Sequence, residues 1–233
     1  MIIKRFMKES EIEDAACNLI QLYSREIGGL VEPPVDVDLI AESVCKLTFV
    51  WEFMPELLDR RPDLADVLSD EEKKKSIVLG GLRPRAREVL LNEKHIESYK
   101  KQPGRERFTK AHELGHWQMH IDKSVLDQTS LFGSDDESEE EHTIICMHKD
   151  DSRLEWQANY FAGALLMPKD LLMEEAVPHS LGSWDLQYAL ATHFNVTISA
   201  LVIRMKQIGL TYVDDEGRIH RSAAEAHGQI RLK

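Results

Sequence analysis

The amino-acid sequence predicts an α+β fold, a small antiparallel or mixed sheet backed by helices and followed by a helical segment that resembles a helix-turn-helix. Three observations point that way. Apolar residues recur at helical spacing in long windows, above all near residues 107–122 and 152–167. The short apolar runs "LTFVWEF", "SIVLGGL" and "REVLLNE" read as strands. Between Trp184 and Leu210 the pattern is helical again, interrupted at "FNVT".

The elements follow in order. Ile12, Ala15, Leu19, Leu22 and Tyr23 predict a first helix from Glu11 to Glu26, with Ser10 and Glu13 as a capping box and Gly28-Gly29 as the stop. Asp36 is expected to cap a short second helix whose apolar face is Val37, Ile40, Ala41 and Val44. Residues 55–75 are charge-dense and read as a surface excursion with one turn of helix. "SIVLGGL" and "REVLLNE", separated by Arg83-Pro84-Arg85-Ala86, are expected to pair as antiparallel neighbours. A helix from Arg107 to Asp122 comes next. Six acids between Asp135 and Glu141 repel one another and predict a mobile, solubilising loop over 132–150. The helix from Ser152 to Met167 stops at Pro168, and "VDDEGR" suits a hairpin turn. This organisation gives one domain over residues 1–178, then a helical segment and polar tail over 179–233.

Composition narrows the function. With 233 residues and a formal net charge of −12, the chain can bury a core but lacks the basic footprint of a nucleic-acid binder. No apolar run approaches the ~18 residues of a membrane span, and the N-terminus has no leader pattern. Cys17, Cys45 and Cys146 form no CxxC pair and read as reduced thiols of a cytoplasmic protein.

The stretch "FTKAHELGHWQMH" carries the chemistry. On a helix, His112 and His116 stand about 6 Å apart along the axis and about 40° around it, so both imidazoles reach one ion. Glu113 points about 100° away from His112, beside the ion, where a general base belongs. Gly115 costs about 1 kcal/mol relative to alanine inside a helix, which is explained if another backbone comes close. His120 lies about 12 Å from His112 along the axis, too far to share its ion, and reads as a helix-end residue. His142, Cys146 and His148 have no regular metal spacing.

For a third ligand, Glu155 is the candidate. In "RLEWQANYFAGALLMP", Leu154, Ala158, Phe161 and Leu165 form the apolar stripe, while Glu155, Asn159, Ala162 and Gly163 share a second face suited to approach Gly115. Asn159, four residues beyond Glu155, could brace a ligand imidazole. The plainer alternative pairs Glu155 with Arg153 or Lys110 at the surface.

"RFTKAHELGHW" followed by "EWQANYFAGALLMP" resembles the ImmA/IrrE-type metallopeptidases of bacteria and mobile elements, over roughly Asp36 to Leu210. The resemblance implies a zincin-like fold with His112, His116 and Glu155 as metal ligands and Glu113 as catalytic base. It implies zinc, although a His₂-carboxylate set also accepts manganese or iron. Characterised members cleave helix-turn-helix repressors, so the expected partner is such a repressor, with "EVLLNE" as the strand edge that holds an extended substrate. His179, His193 and Tyr160 are candidate oxyanion donors. Only Arg204 and Lys206 are basic on the second helix of "LATHFNVTISALVIRMKQIGL", which argues against direct DNA binding. The competing reading is a non-catalytic regulator that binds a repressor or DNA, or a toxin–antitoxin component.

Overall fold

In the computed structural model, residues 6–60, 79–124, 126, 152–176 and 181–227 are described. The first helix, α1 (Glu9–Ile27), buries Ile12, Ala16, Leu19 and Tyr23, and Gly28 ends it in the left-handed conformation at φ 65°. Ser10 does not cap it. The helix starts at Glu9 with Lys8 as its N-cap, so Glu11 reaches back instead, its carboxylate accepting from the Lys8 N–H at 2.8 Å, while Glu13 pairs with a distant arginine. Asp36 does cap α2 (Val37–Leu39), accepting from Leu39 N at 2.9 Å, and the chain continues as a wider π-type turn over Ile40–Cys45.

Strands β1 (Thr48–Glu52), β2 (Gly80–Arg83) and β3 (Glu88–Asn92) form one sheet in the order β1-β3-β2. β2 and β3 are antiparallel, Gly80 facing Leu91, whereas β1 runs parallel to β3, Thr48 facing Glu88. β3 is therefore central, and the expectation that "EVLLNE" forms an open edge is wrong. Its run Val89-Leu90-Leu91 is fully buried, the pattern of a strand covered on both faces. Between β1 and β2 the chain forms α3 (Met54–Arg60), which sets Met54 and Leu57 against Leu90; the remainder of the charge-dense excursion lies outside the described residues.

After β3, a 3₁₀ turn (Glu93–His95) and α4 (Ile96–Lys101) lead into α5 (Pro103–His120), which begins earlier than expected because proline is favourable in a first helical turn. α5 buries Ala111, Leu114, Trp117 and Met119 but also Glu113, His116 and His120, so it is enclosed on several sides. α6 (Ser152–Leu166) packs along it, and α7 (Lys169–Ala176) follows. α5 and α6 come close together at Gly115, where a Cβ would stand 3.2 Å from Ala158 Cα and 3.1 Å from Phe161 Cδ1. Gly163, expected on that face, lies instead opposite Arg204. The acidic stretch 132–150 lies outside the described residues.

The last segment holds α8 (Trp184–His193) and α9 (Ile198–Gln207), capped by Ser183 and Thr197, then a hairpin of β4 (Tyr212–Val213) and β5 (Ile219–His220) and a short α10 (Ala223–Ala226). Leu190, Phe194, Leu201 and Met205 join the same core as Ala16 and Leu165. Arg204, 0% exposed, locks the segment down. Its guanidinium donates to both carboxylate oxygens of Glu13 and, through Nε, to Met167 O at 3.0 Å.

Removing one partner of a buried pair strands the other's charge. Glu13→Ala is therefore expected to lower unfolding free energy in urea by about 3 kcal/mol, whereas Arg204→Met costs less because Glu13 can hydrate. Burial pushes the Glu13 carboxyl up, but Arg204 outweighs it and holds the group below its ordinary range. The pair's contribution is thus complete above pH ~4.3 and is lost as pH falls through the lowered folded-state value.

Candidate metal centre

His112 and His116, one turn apart on α5, and Glu155, in the first turn of α6, converge among the described residues. His112 Nε2 lies 3.0 Å from His116 Nε2 and 3.3 Å from Glu155 Oε2, and His116 Nε2 lies 3.2 Å from Glu155 Oε1. Ligand atoms about 2.0–2.1 Å from a tetrahedral ion stand about 3.3 Å from one another, so this donor set has the spacing and chemistry of a zinc-type site.

The electrostatics agree with that geometry. Burial pushes the Glu155 carboxyl up, but hydrogen bonds and charge from His112 and His116 outweigh it and bring the pKa down to about 2. For His112, burial favours the neutral ring, yet Glu155, Glu113 and Asn159 outweigh it and leave the pKa above the ordinary histidine value. The surface pairing of Glu155 with Lys110 is not formed: Lys110 binds Asp38 at 2.6 Å and Glu106 at 2.8 Å.

Behind the three side chains, Asn159 Oδ1 lies 3.0 Å from His112 Nδ1. This leaves the Nε2 of that ring turned to Glu155. His120 is not merely a helix-end residue. It is 2% exposed, and its Nδ1 lies 3.0 Å from His116 Nδ1. It is not part of the donor group formed by His112, His116 and Glu155 among the described residues. The same spacing of four residues that joins His112 to His116 also joins His116 to His120, which is the signal in the sequence for this contact.

Glu113 is 3% exposed and leans toward the sheet. A Cβ at Gly80 would meet Glu113 Oε1 at 2.6 Å and Leu90 O at 2.8 Å, so the glycine at the start of β2 makes room for this carboxylate. Of the three oxyanion candidates, His193 faces Glu175 at 3.7 Å on the surface and His179 lies outside the described residues. Tyr160 is engaged with Glu13, and burial followed by that carboxylate pushes its hydroxyl up to about 12. His142, Cys146 and His148 lie outside the described residues.

Comparison with known proteins agrees with this arrangement at the family level. Residues 95–206 match the family described as Peptidase_M78, IrrE N-terminal-like domain. No curated protein matches. Among solved structures, a Mycobacterium tuberculosis transcriptional regulator is similar at 17% identity with a TM-score of 0.46, and the alignment covers 91% of this chain but 59% of that one. The matched region spans α4, α5, α6 and most of α9, and so includes all three converging residues. Residues 95–206 of this chain are an IrrE N-terminal-like domain of the M78 peptidase family.

Proposed function

We propose that the protein is a cytoplasmic, zinc-dependent endopeptidase that hydrolyses a peptide bond in a regulatory protein, a helix-turn-helix repressor, and thereby releases the genes that repressor holds silent. The observation that carries the reading is the convergence of His112, His116 and Glu155 with Glu113 beside them. His112, His116 and Glu155 would hold the ion; manganese suits the same donors. Zinc there supplies Lewis acidity toward the scissile carbonyl and lowers the pKa of water toward 7.

Every other step belongs to the chain's own groups. Glu113 takes a proton from the attacking water as its oxygen bonds to the carbonyl carbon, then delivers that proton to the amine nitrogen as the C–N bond breaks. Asn159 holds the His112 ring in place. β2 is an outer strand among the described residues and the one nearest Glu113, so an extended substrate segment is expected to pair with Gly80–Arg83 rather than with β3. No single helix among the described residues is long and apolar enough to cross a membrane.

A second reading, a regulator that binds DNA or a repressor without cutting it, draws on α8 and α9. Their axes bend through 103°, inside the ~90–120° range of helix-turn-helix units. Against DNA contact, Arg204 on α9 is buried on Glu13, which leaves Lys206 as the exposed basic residue of that helix.

One preparation separates the two readings. The purified protein is expected to hold one zinc, lost in His116→Ala, and to cut the repressor encoded beside it into discrete fragments. Glu113→Gln is expected to keep the metal and lose about 10²–10⁴-fold in kcat. Full cleavage by Glu113→Gln would refute the assigned role, and bound zinc without fragments would favour the regulator. Gly80→Ala is expected to displace Glu113 and to lower kcat by about 10²-fold while zinc affinity stays unchanged. Because a proton must leave His112 before an ion can bind, chelator-competition affinity is expected to weaken as pH falls through the midpoint of His112, which Glu155 and Glu113 hold above the ordinary histidine value.

A further inference from the structure

We propose that His120 is a positioning residue that fixes the His116 ring in the orientation and tautomer needed for metal binding, an inference that rests on the metal-centre reading above. His116 turns Nε2 toward His112 Nε2 at 3.0 Å and Glu155 Oε1 at 3.2 Å, so Nε2 is the atom offered to an ion. A ligating nitrogen carries no hydrogen, and the neutral ring must then carry its proton on Nδ1. That Nδ1 faces His120 Nδ1 at 3.0 Å. Two N–H groups cannot meet head to head at this distance. His120 must therefore present a lone pair at Nδ1 and keep its own proton on Nε2, while the His116 Nδ1–H donates to it.

The surroundings of His120 suit that task. It stands in the last turn of α5, 2% exposed, beside Gln157 of α6, whose Oε1 accepts from Met7 N at 3.3 Å. A buried imidazole that served only to fill space would pay a desolvation cost that leucine or phenylalanine avoids. The two ligand rings are braced from different elements. Asn159 reaches His112 from α6, whereas His120 reaches His116 from within α5. The orientation of His116 is thus set inside one helix and does not wait for α6 to dock.

Two measurements test this. In ¹⁵N-labelled, metal-free wild type above pH 8, long-range ¹H–¹⁵N spectra are expected to show His116 as the Nδ1–H tautomer and His120 as the Nε2–H tautomer. The opposite tautomer at His116 would overturn the proposal without any variant. In chelator competition with zinc, His120→Ala is expected to bind about 10–100-fold more weakly than wild type. His120→Asn, whose amide oxygen can occupy the Nδ1 position, is expected to restore most of the affinity, with melting of the metal-free variants followed by circular dichroism. Wild-type affinity in both variants, or an asparagine variant that folds like wild type yet binds as poorly as alanine, would overturn it. If His120→Ala does not fold, the asparagine variant and the tautomers decide. Wild type that takes up no zinc would instead refute the metal centre, leaving the tautomer result to judge the hydrogen bond alone.

Discussion

The contact on which the rest depends is the approach of α6 to α5 at Gly115. With no side chain there, Ala158 Cα and O can lie 3.2 and 3.3 Å from where a Cβ would be. Glu155 and Asn159 flank Ala158 on the same helix, one turn apart, so the approach that seats Ala158 also delivers a carboxylate to the two imidazoles and an amide oxygen to the back of His112. Any side chain at 115 would press on this contact, and displacement by even 1 Å would spoil a donor set spaced at 3.0–3.3 Å. The glycine's cost in helix propensity, about 1 kcal/mol, is small against that.

The same packing separates two carboxylates, Glu113 buried and Glu155 partly buried, into different environments. Glu155 sits between imidazoles and stays ionised, its pKa held near 2 by the histidines. Glu113, one residue from His112, turns instead to the sheet and is accommodated by Gly80 at the start of β2. One carboxylate is bound into the donor set while its neighbour is kept beside it, the division of labour that a metal-assisted hydrolase needs.

Much of this was legible in the sequence because the governing interactions are local. The paired histidines, the direction of Glu113 and the need for a small residue at 115 all follow from helix geometry, and the Asp36 and Gly28 signals follow from capping chemistry. The errors share a different origin. Local spacing makes Glu13 half of a capping box, but an arginine 191 residues away claims it, which no local rule can see. The edge position of β3 is an expectation from the family resemblance, whereas β1, more than thirty residues earlier, pairs in parallel on its other side. His120 reads from the sequence as a helix-end residue because it is too far from His112 to share its ion, and that comparison leaves out its contact with His116, one helical turn away.

Two histidines of α5 and one glutamate of α6 are placed to share an ion. X-ray absorption at the zinc edge of the loaded protein tests it most directly. The expected spectrum shows two imidazole nitrogens with the remaining scatterers oxygen, at about 2.0–2.2 Å and with no sulfur. A sulfur shell near 2.3 Å or a third imidazole would contradict it, and would place the metal at residues other than His112, His116 and Glu155.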